Sequence, residues 1–451
     1  MLKNWIKENK SDMQLLINFV GPMVLTQIIQ VFFQIGDQAI IGRTLVHEFA
    51  AVGIASSFLF LITGTIGMIS MAFNIIGGRY LGENNLTMFG KAFSTSVNLC
   101  IVIGLLCEII ILLFGKLILK NIYGLEPLIL EPATEYLYIG GLGIGLNMVL
   151  FNFSAFFKNI NKTKIFLMSF IPASIINVFF DYVLVYGKFG FPKLGVKGAA
   201  IGTVLGLAVN MIIYIFAFFK WKKISFSFSL NKAILAKLMK LYFPLALQDL
   251  IEFTLFAMML SILIVRIGVE SIATYSVVTT LLEFLLIPMY GFSGSCLTLT
   301  AQRYGNKNGH FLKLIPLSIT LGLIVTIPLS ILITVFANPV ASLMTDKISI
   351  ITLVVHILPW AAFFSLINGI QIIVKSALQA IDLEKWVLVY STCIYAMLLL
   401  FLYIFIHQLD LLGIYIGLGL GYGLLLCGYL FKIRKISLQS GQYSSEMIQN
   451  S

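Results

Sequence analysis

The sequence has few charged residues. Asp, Glu, Lys and Arg make up only 11% of its 451 residues, whereas hydrophobic residues make up 59%. Soluble domains contain about 25% charged residues, and a chain of this composition would lack the polar groups needed to cover a water-facing surface. The composition therefore excludes a soluble globule and a disordered chain, and it predicts an integral membrane protein in contact with the lipid bilayer.

Motifs for metal, redox or nucleotide chemistry are also missing. The five cysteines lie in apolar runs without a C-x-x-C pair, which argues against a disulfide framework or a structural metal site. There is no H-E-x-x-H, no G-x-S-x-G and no P-loop, and the four histidines are scattered over separate loops or spans. These absences disfavour a polytopic membrane enzyme and an ATP-driven pump. The sequence also contains no recognisable selectivity filter, which disfavours a passive channel.

What the chain does contain is a series of long apolar stretches. A membrane-spanning helix needs roughly 20 apolar residues, and twelve stretches of that kind are each closed by a short polar break. The predicted spans are 15–41, 52–77, 92–115, 134–157, 165–187, 195–219, 240–265, 271–301, 312–337, 349–378, 386–407 and 411–431. We therefore expect an all-α, multi-pass membrane protein with twelve transmembrane helices.

The basic residues predict the orientation of these spans. With twelve spans both termini lie on one side, and that side holds 22 of the 30 Lys and Arg residues, while the other side holds 8. Because basic residues accumulate on the cytoplasmic side, both termini are expected to be cytoplasmic. This distribution also explains the net charge of +11 without nucleic acid as a partner.

The longest polar segment, residues 220–240, divides the spans into two sets of six. We accordingly predict five regions. They are an N-terminal cytoplasmic segment (1–14), an N-terminal lobe (15–219), a connector (220–240), a C-terminal lobe (241–431) and a cytoplasmic tail (432–451). In the connector, Ile234, Leu235, Leu238 and Leu241 share one helical face, a pattern typical of an amphipathic helix lying in the membrane interface.

The two halves resemble each other at an offset of 222 to 223 residues. Pro22 matches Pro244, and GRYLGENN (78–85) matches AQRYGNKN (301–308). Spans 6 and 12 each carry three glycines at four-residue spacing, a pattern that lets helices approach closely; these are Gly198, Gly202, Gly206, Gly413, Gly417 and Gly421. Because each half has an even number of spans, the repeats are parallel, which predicts a transporter with a central cavity between two lobes.

Acidic residues within spans are candidates for function, since an ionisable group at the bilayer centre costs roughly 2.5 to 3.5 kcal/mol on insertion scales. Asp181 follows Asn177 by four residues in span 5, so both share a face and could turn towards Asp37 of span 1. For Glu108 and Glu283, structural pairing and a transport role are equally compatible with the sequence.

A second acidic candidate lies in span 7. Asp249 and Glu252 are three residues apart, and two carboxylates that close cannot easily both ionise in a low dielectric. The pair is therefore expected to hold a proton or to recruit a cation. Pro244, five residues earlier, is expected to kink the helix and to free a backbone carbonyl.

Three segments resemble the multidrug and toxic compound extrusion (MATE) transporters of bacteria, with features of the NorM branch. They are GPMVLTQIIQVFFQIGDQAIIGR (21–43), NVFFDYVLVYGKFGFPKLGVKGAAIGT (177–203) and PLALQDLIEFTLF (244–256). The resemblance implies an antiporter that exchanges H⁺ or Na⁺ for an organic substrate by alternating access.

By position, the resemblance assigns cation coupling to four residues and a further acid to span 7. The coupling residues are Asp37, Asn177, Asp181 and Thr203, and Glu252 matches the acid of the NorM branch. Some relatives have another acid late in span 10, whereas this chain reads SALQAIDLEKW with Gln371 upstream, which argues against a Na⁺ site in the C-terminal lobe. Gln34, Glu283 and Gln371 are expected to add polar groups to the cavity.

The expected protein is thus a bacterial inner-membrane antiporter for small, amphipathic, often cationic drugs. It needs no cofactor other than the coupling ion, H⁺ or Na⁺, and a monomer is expected. The alternative within transport is a flippase for lipid-linked saccharides, which should have a strongly cationic cavity, whereas the charges within the spans are mostly acidic.

Overall fold

The computed structural model describes residues 2–307 and 311–449, and the side chains of 7–307 and 311–438. Asn308, the last residue of the second repeated motif, and residues 450 and 451 of the tail lie outside the described residues. Helices account for nearly all of the regular structure, and no strand occurs within the described ranges. The all-α prediction is confirmed.

Six helices form the first half of the chain. They are α1 (Leu2–Ile41), α2 (Val46–Gly82), α3 (Leu86–Asn121), α4 (Pro127–Asn159), α5 (Lys164–Tyr186) and α6 (Val196–Trp221). The predicted N-terminal segment is part of a helix, because α1 starts at Leu2 and continues without interruption through span 1.

The described residues of the second half contain seven α-helices, one π-helical segment and one 3₁₀ turn. They are α7 (Lys232–Asp249), a π-helical segment (Leu250–Leu255), α8 (Phe256–Val265), α9 (Val269–Gly305), a 3₁₀ turn (Phe311–Lys313), α10 (Leu314–Val335), α11 (Ala337–Ser342), α12 (Ile348–Ala380) and α13 (Glu384–Gln449). Span 7 therefore consists of α7, the π segment and α8.

Eleven helices among the described residues are long and apolar enough to cross a membrane. The last of them contains predicted spans 11 and 12, which are separated where Asp410 leaves helical geometry (φ 49°, ψ −134°). A Cβ at Gly417 would lie 2.6 Å from Leu402 Cδ2, so the two arms of α13 pack side by side. The helix count thus agrees with the twelve predicted spans.

The chain folds into two compact units, which are Pro22–Ala246 and Met1–Gly21 together with Leu247–Ser451. These boundaries differ from the predicted lobes, because the start of α1 belongs with the later helices. An ion pair contributes to this arrangement, since Arg303 Nη2 of α9 lies 2.5 Å from Asp12 Oδ1 of α1.

The connector also differs from its prediction. Residues 222–231 form no helix, and they pack along α3, where Asn98 Nδ2 donates to Ser227 O (2.8 Å) and Ser227 N donates to Ser94 Oγ (3.1 Å). The predicted interfacial helix is instead the beginning of α7. Its apolar face is covered by protein, because Ile234 and Leu238 are buried.

Aromatic rings form the core of the unit Pro22–Ala246. The ring of Phe93 in α3 lies 4.7 to 5.3 Å from the rings of Phe153, Phe156 and Phe218, which come from α4 and α6. Tilted and edge-on aromatic pairs of this kind contribute about 0.5–1.5 kcal/mol each beyond their burial. The core therefore holds α3, α4 and α6 as one scaffold.

Candidate functional site

The acids of spans 1 and 5 meet inside the unit Pro22–Ala246. The carboxyl groups of Asp37 in α1 and Asp181 in α5 lie within hydrogen-bonding contact of each other. Asp181 is 1% exposed, and its Oδ2 accepts a hydrogen bond of 3.1 Å from Asn177 Nδ2, one turn earlier. The spacing of Asn177 and Asp181 predicted this contact; that the cluster binds the coupling cation stays a prediction.

Glycine in α6 makes room for this carboxyl group. A Cβ at Gly202 would overlap Asp181 Oδ1, and a Cβ at Gly198 would lie 2.6 Å from the backbone of Leu184. The predicted role of the four-residue glycine spacing is thus confirmed for α6, which packs its glycine face directly against α5. Side chains at these positions would push the two helices apart.

Hydroxyl groups complete the cluster. Thr203 follows Gly202 in α6, and its Oγ1 donates to Ala199 O at 3.0 Å. The hydroxyl of Tyr136, from α4, lies near the hydroxyl groups of Thr203 and Ser56. Sequence reasoning missed Tyr136, because no single aromatic stands out among 18 tyrosines and 37 phenylalanines.

The end of α1 is held against α5 by a further hydrogen bond. Tyr186 OH donates to Ile40 O at 2.6 Å, three residues after Asp37. Gln34, one turn before Asp37, is exposed and forms no hydrogen bond within the described residues, so the structure does not bring it into the cluster. We name the group formed by Asp37, Tyr136, Asn177, Asp181 and Thr203 the acidic cluster.

The acid of span 7 has a different environment. Glu252 lies in the π segment, and its Oε2 is 2.8 Å from Lys375 Nζ of α12. Its Oε1 accepts a hydrogen bond of 2.6 Å from Gln248 Nε2. A lysine therefore supplies the opposite charge at Glu252, whereas the sequence predicted that Asp249 and Glu252 would hold a proton or recruit a cation.

The π segment changes the geometry assumed for Asp249 and Glu252. A π-helix turns less per residue than an α-helix, so the two side chains do not have the angular spacing that a regular helix gives them. Asp249, the last residue of α7, is half-buried. The distortion begins directly after Asp249, and Pro244, which was predicted to kink this helix, lies five residues earlier within α7.

Lys375 also corrects the predicted topology count. The 22 basic residues assigned to the cytoplasmic side include Lys375, yet this residue lies inside α12 and its side chain is 14% exposed. Without Lys375, the predicted cytoplasmic side still holds far more basic residues than the opposite side.

The ion pair forms part of the wall of a cavity within Leu247–Ser451. This cavity has a volume of about 230 Å³, and Glu283 and Gln371 line it as well. We name it the C-terminal cavity. Glu108 lies elsewhere, on α3, and forms no ion pair within the described residues.

Among the residues that the structure describes, these acids do not belong to a metal-binding cluster. Across the described ranges, no cluster of three or more His, Cys, Asp or Glu side chains could hold a metal ion. The acidic cluster thus offers two carboxyl groups, one amide and two hydroxyls as polar partners, which suits a proton or a weakly held hard cation better than a structural metal.

Comparison with known protein families decides what kind of protein carries this arrangement. A family model described as MatE matches two segments, residues 22–183 and 244–404, which begin 222 residues apart. The chain belongs to the MatE family. The predicted resemblance is therefore confirmed, and the two matched segments agree with the predicted internal offset.

Relatives of the MATE protein match it over most of their length. A Thermotoga maritima protein described as "Probable multidrug resistance protein NorM" is 26% identical over 365 residues, covering 78% of this chain and 76% of the relative. "Probable multidrug resistance protein YoeA" of Bacillus subtilis is 24% identical over 430 residues, covering 91% and 92% of the two chains.

Solved structures share the fold. One, described as the "Outward-facing conformation of a multidrug resistance MATE family transporter of the MOP superfamily", superposes with a TM-score of 0.86 at 18% identity, covering 95% of this chain and 97% of that chain. Family membership and fold together make this chain a multi-pass membrane transporter and not an enzyme.

Proposed function

We propose that this MATE protein exports small, amphipathic, often cationic drug-like compounds in exchange for H⁺ or Na⁺. In this proposal it works as a monomer in the inner membrane of a bacterium, with both termini in the cytoplasm, and uses no cofactor besides the coupling ion. The names of the relatives from Thermotoga maritima and Bacillus subtilis support the substrate class. The single observation that supports cation coupling is the contact between Asp37 and Asp181.

Two carboxyl groups in contact inside an apolar unit cannot both be ionised without a large electrostatic cost. Their contact requires either a shared proton or a cation between them. The Oδ1 atoms of both residues are buried and receive no hydrogen bond from another donor in the described ranges. The acidic cluster therefore has acceptor capacity that an incoming H⁺ or Na⁺ would use.

Cation uptake would also change the packing around α5. Asp181 lies against the glycine face of α6, and Asp37 belongs to α1, which Tyr186 ties to α5. Neutralising the pair removes a repulsion between α1 and α5, whereas ion release restores it. A shift between these helices is the step that we propose couples cation binding to release of the substrate.

One cation per cycle is energetically sufficient. Moving one charge through a membrane potential releases about 2.3 kcal/mol per 100 mV, and a tenfold gradient of a neutral solute costs about 1.4 kcal/mol. A potential of roughly 100 mV could thus maintain nearly a fiftyfold gradient of a neutral substrate without any ion gradient.

Transport in proteoliposomes tests the proposal. Ethidium or norfloxacin movement is measured while a proton gradient and a Na⁺ gradient are imposed separately, for the unaltered protein, Asp37→Asn and Glu108→Gln. We expect one gradient to drive transport in the unaltered protein and in Glu108→Gln, an intramembrane acid outside the cluster, but not in Asp37→Asn. Movement under neither gradient would contradict drug antiport and favour a flippase for lipid-linked saccharides.

A further inference from the structure

The ion pair between Lys375 and Glu252 leaves no free oxygen on the carboxylate. Lys375 Nζ lies 2.8 Å from Oε2, and the side chains of Lys375 and Glu252 are 14% and 5% exposed. Gln248 Nε2 donates to Oε1 at 2.6 Å. Both oxygens therefore have a donor from the protein, and the negative charge has a partner of opposite sign.

A second contact holds this pair in place. Gln379 Nε2 donates to Gln248 Oε1 at 2.8 Å. Lys375 and Gln379 are one turn apart on α12, and they contact Glu252 and Gln248, which are four residues apart across the start of the π segment. Two polar contacts, one turn apart, thus hold α12 against span 7. Because the ammonium group of Lys375 is part of the chain, it cannot diffuse away from Glu252 as a bound ion does.

Among the described residues, the remaining side chains around the C-terminal cavity do not provide another cationic residue. Glu283 lines it from α9 together with Tyr275 and Tyr290, and α13 contributes tyrosines 395, 415 and 422. Gln371 Nε2 donates to Asn368 Oδ1 at 2.9 Å. Among the described residues, Lys375 is therefore the sole basic residue in the cavity lining, and its charge is committed to Glu252.

We propose that Lys375 is a built-in counter-ion that takes the place of an exchangeable cation at Glu252. Glu252 then takes up neither H⁺ nor Na⁺ during transport, and cation uptake at the acidic cluster does not depend on it. This inference rests on the proposed cation-coupled function, and it specifies which buried acid takes part. A buried carboxylate that loses its partner must gain a proton or a cation, because an unpaired charge is poorly tolerated in an apolar interior.

The test counts cations bound by the purified, full-length protein. Equilibrium binding of radioactive Na⁺ and difference proton titration are compared for the unaltered protein, Lys375→Met and the double variant Lys375→Met/Glu252→Gln. We expect Lys375→Met to bind one additional equivalent of H⁺ or Na⁺, and the double variant to lose it again. Lys375→Arg, which keeps the charge, serves as the control and should bind no additional cation.

If Lys375→Met does not fold, Glu252→Gln is compared with the unaltered protein instead. Glu252→Gln in the presence of Lys375 should leave cation binding unchanged, whereas a loss of one equivalent would overturn the proposal. A folded Lys375→Met that binds no extra cation would also overturn it. Failure of the proposed function is distinguishable, since it would appear as unchanged cation binding in Asp37→Asn/Asp181→Asn.

Discussion

Each unit of the protein buries acidic side chains, but the two units neutralise them differently. In Pro22–Ala246, Asp181 faces a second carboxyl group, that of Asp37. In the unit that includes Leu247–Ser451, Glu252 faces the ammonium group of Lys375. In the proposed mechanism a mobile ion completes the first arrangement, whereas a side chain completes the second. We therefore propose that the position of the counter-charge decides which buried acid couples to an ion gradient.

The largest effect should follow from removing one carboxyl of the acidic cluster. We expect Asp181→Asn to insert and fold but to abolish drug resistance in cells, because a single carboxyl group no longer requires a shared cation. The measurement is growth in the presence of ethidium or norfloxacin, with membrane abundance determined in parallel. Asp12→Asn, which loses a partly exposed ion pair to Arg303, is the control and should retain resistance. Full resistance in Asp181→Asn would show that transport does not depend on the second carboxyl group, and the proposed difference between the two units would then be wrong.

The next largest effect concerns the stability of the ion pair. Lys375→Met leaves Glu252 without its partner, and breaking a buried pair in this way costs about 3–5 kcal/mol. The double variant Lys375→Met/Glu252→Gln should recover most of this loss, because no charge remains. Reversible denaturation in detergent measures both free energies of unfolding. Equal destabilisation of the single and double variants would show that the charge pairing is not the cause.

A moderate effect is expected from closing the space beside Asp181. Gly202→Ala would place a Cβ against Asp181 Oδ1, and overpacking of this kind costs about 1–3 kcal/mol. Gly64→Ala, on α2, is the matched control, since no atom lies within 4 Å of the added Cβ. The unfolding temperature and the rate of drug transport should both be lower in Gly202→Ala, and both should be unchanged in Gly64→Ala. Equal stability and activity of the two variants would contradict the position of the Asp181 carboxyl group against Gly202.

The smallest effect should come from the polar lining of the C-terminal cavity. Gln371 has one hydrogen bond, to Asn368, and its Oε1 has no partner within the described residues. Gln371→Leu should therefore change the free energy of unfolding by less than about 1 kcal/mol and leave cation binding unchanged. Loss of a bound cation in this variant would indicate an ion site in this cavity.

Much of the fold follows directly from the sequence, because apolar length, glycine spacing and internal repetition are local or periodic features. The helices lie where the twelve apolar stretches predict them, and the shared face of Asn177 and Asp181 requires only helical periodicity. The extent of α1 was not predicted, since polar residues at its start gave no signal that they belong to the same helix. The beginning of α7 was likewise assigned to the interface, because an apolar face does not reveal whether lipid or protein covers it.

The partner of Glu252 could not be predicted for a different reason. Lys375 is 123 residues away in the chain and lies near the end of span 10, where a lysine usually reaches the membrane surface. Only the packing of α12 against span 7 brings it to Glu252. The same limit applies to Tyr136, whose contact with Thr203 depends on how α4 and α6 pack. Pairings between distant helices are set by tertiary structure, so a sequence pattern alone does not identify them.

The cation flux that accompanies drug transport distinguishes most directly between the acidic cluster and Glu252 as the coupling site. Proteoliposomes containing Asp181→Asn or Glu252→Gln are loaded with norfloxacin, and H⁺ or Na⁺ movement is recorded as the drug crosses the membrane. We expect Glu252→Gln to exchange the cation as the unaltered protein does, and Asp181→Asn to exchange none. Coupled flux in Asp181→Asn together with its loss in Glu252→Gln would contradict this expectation.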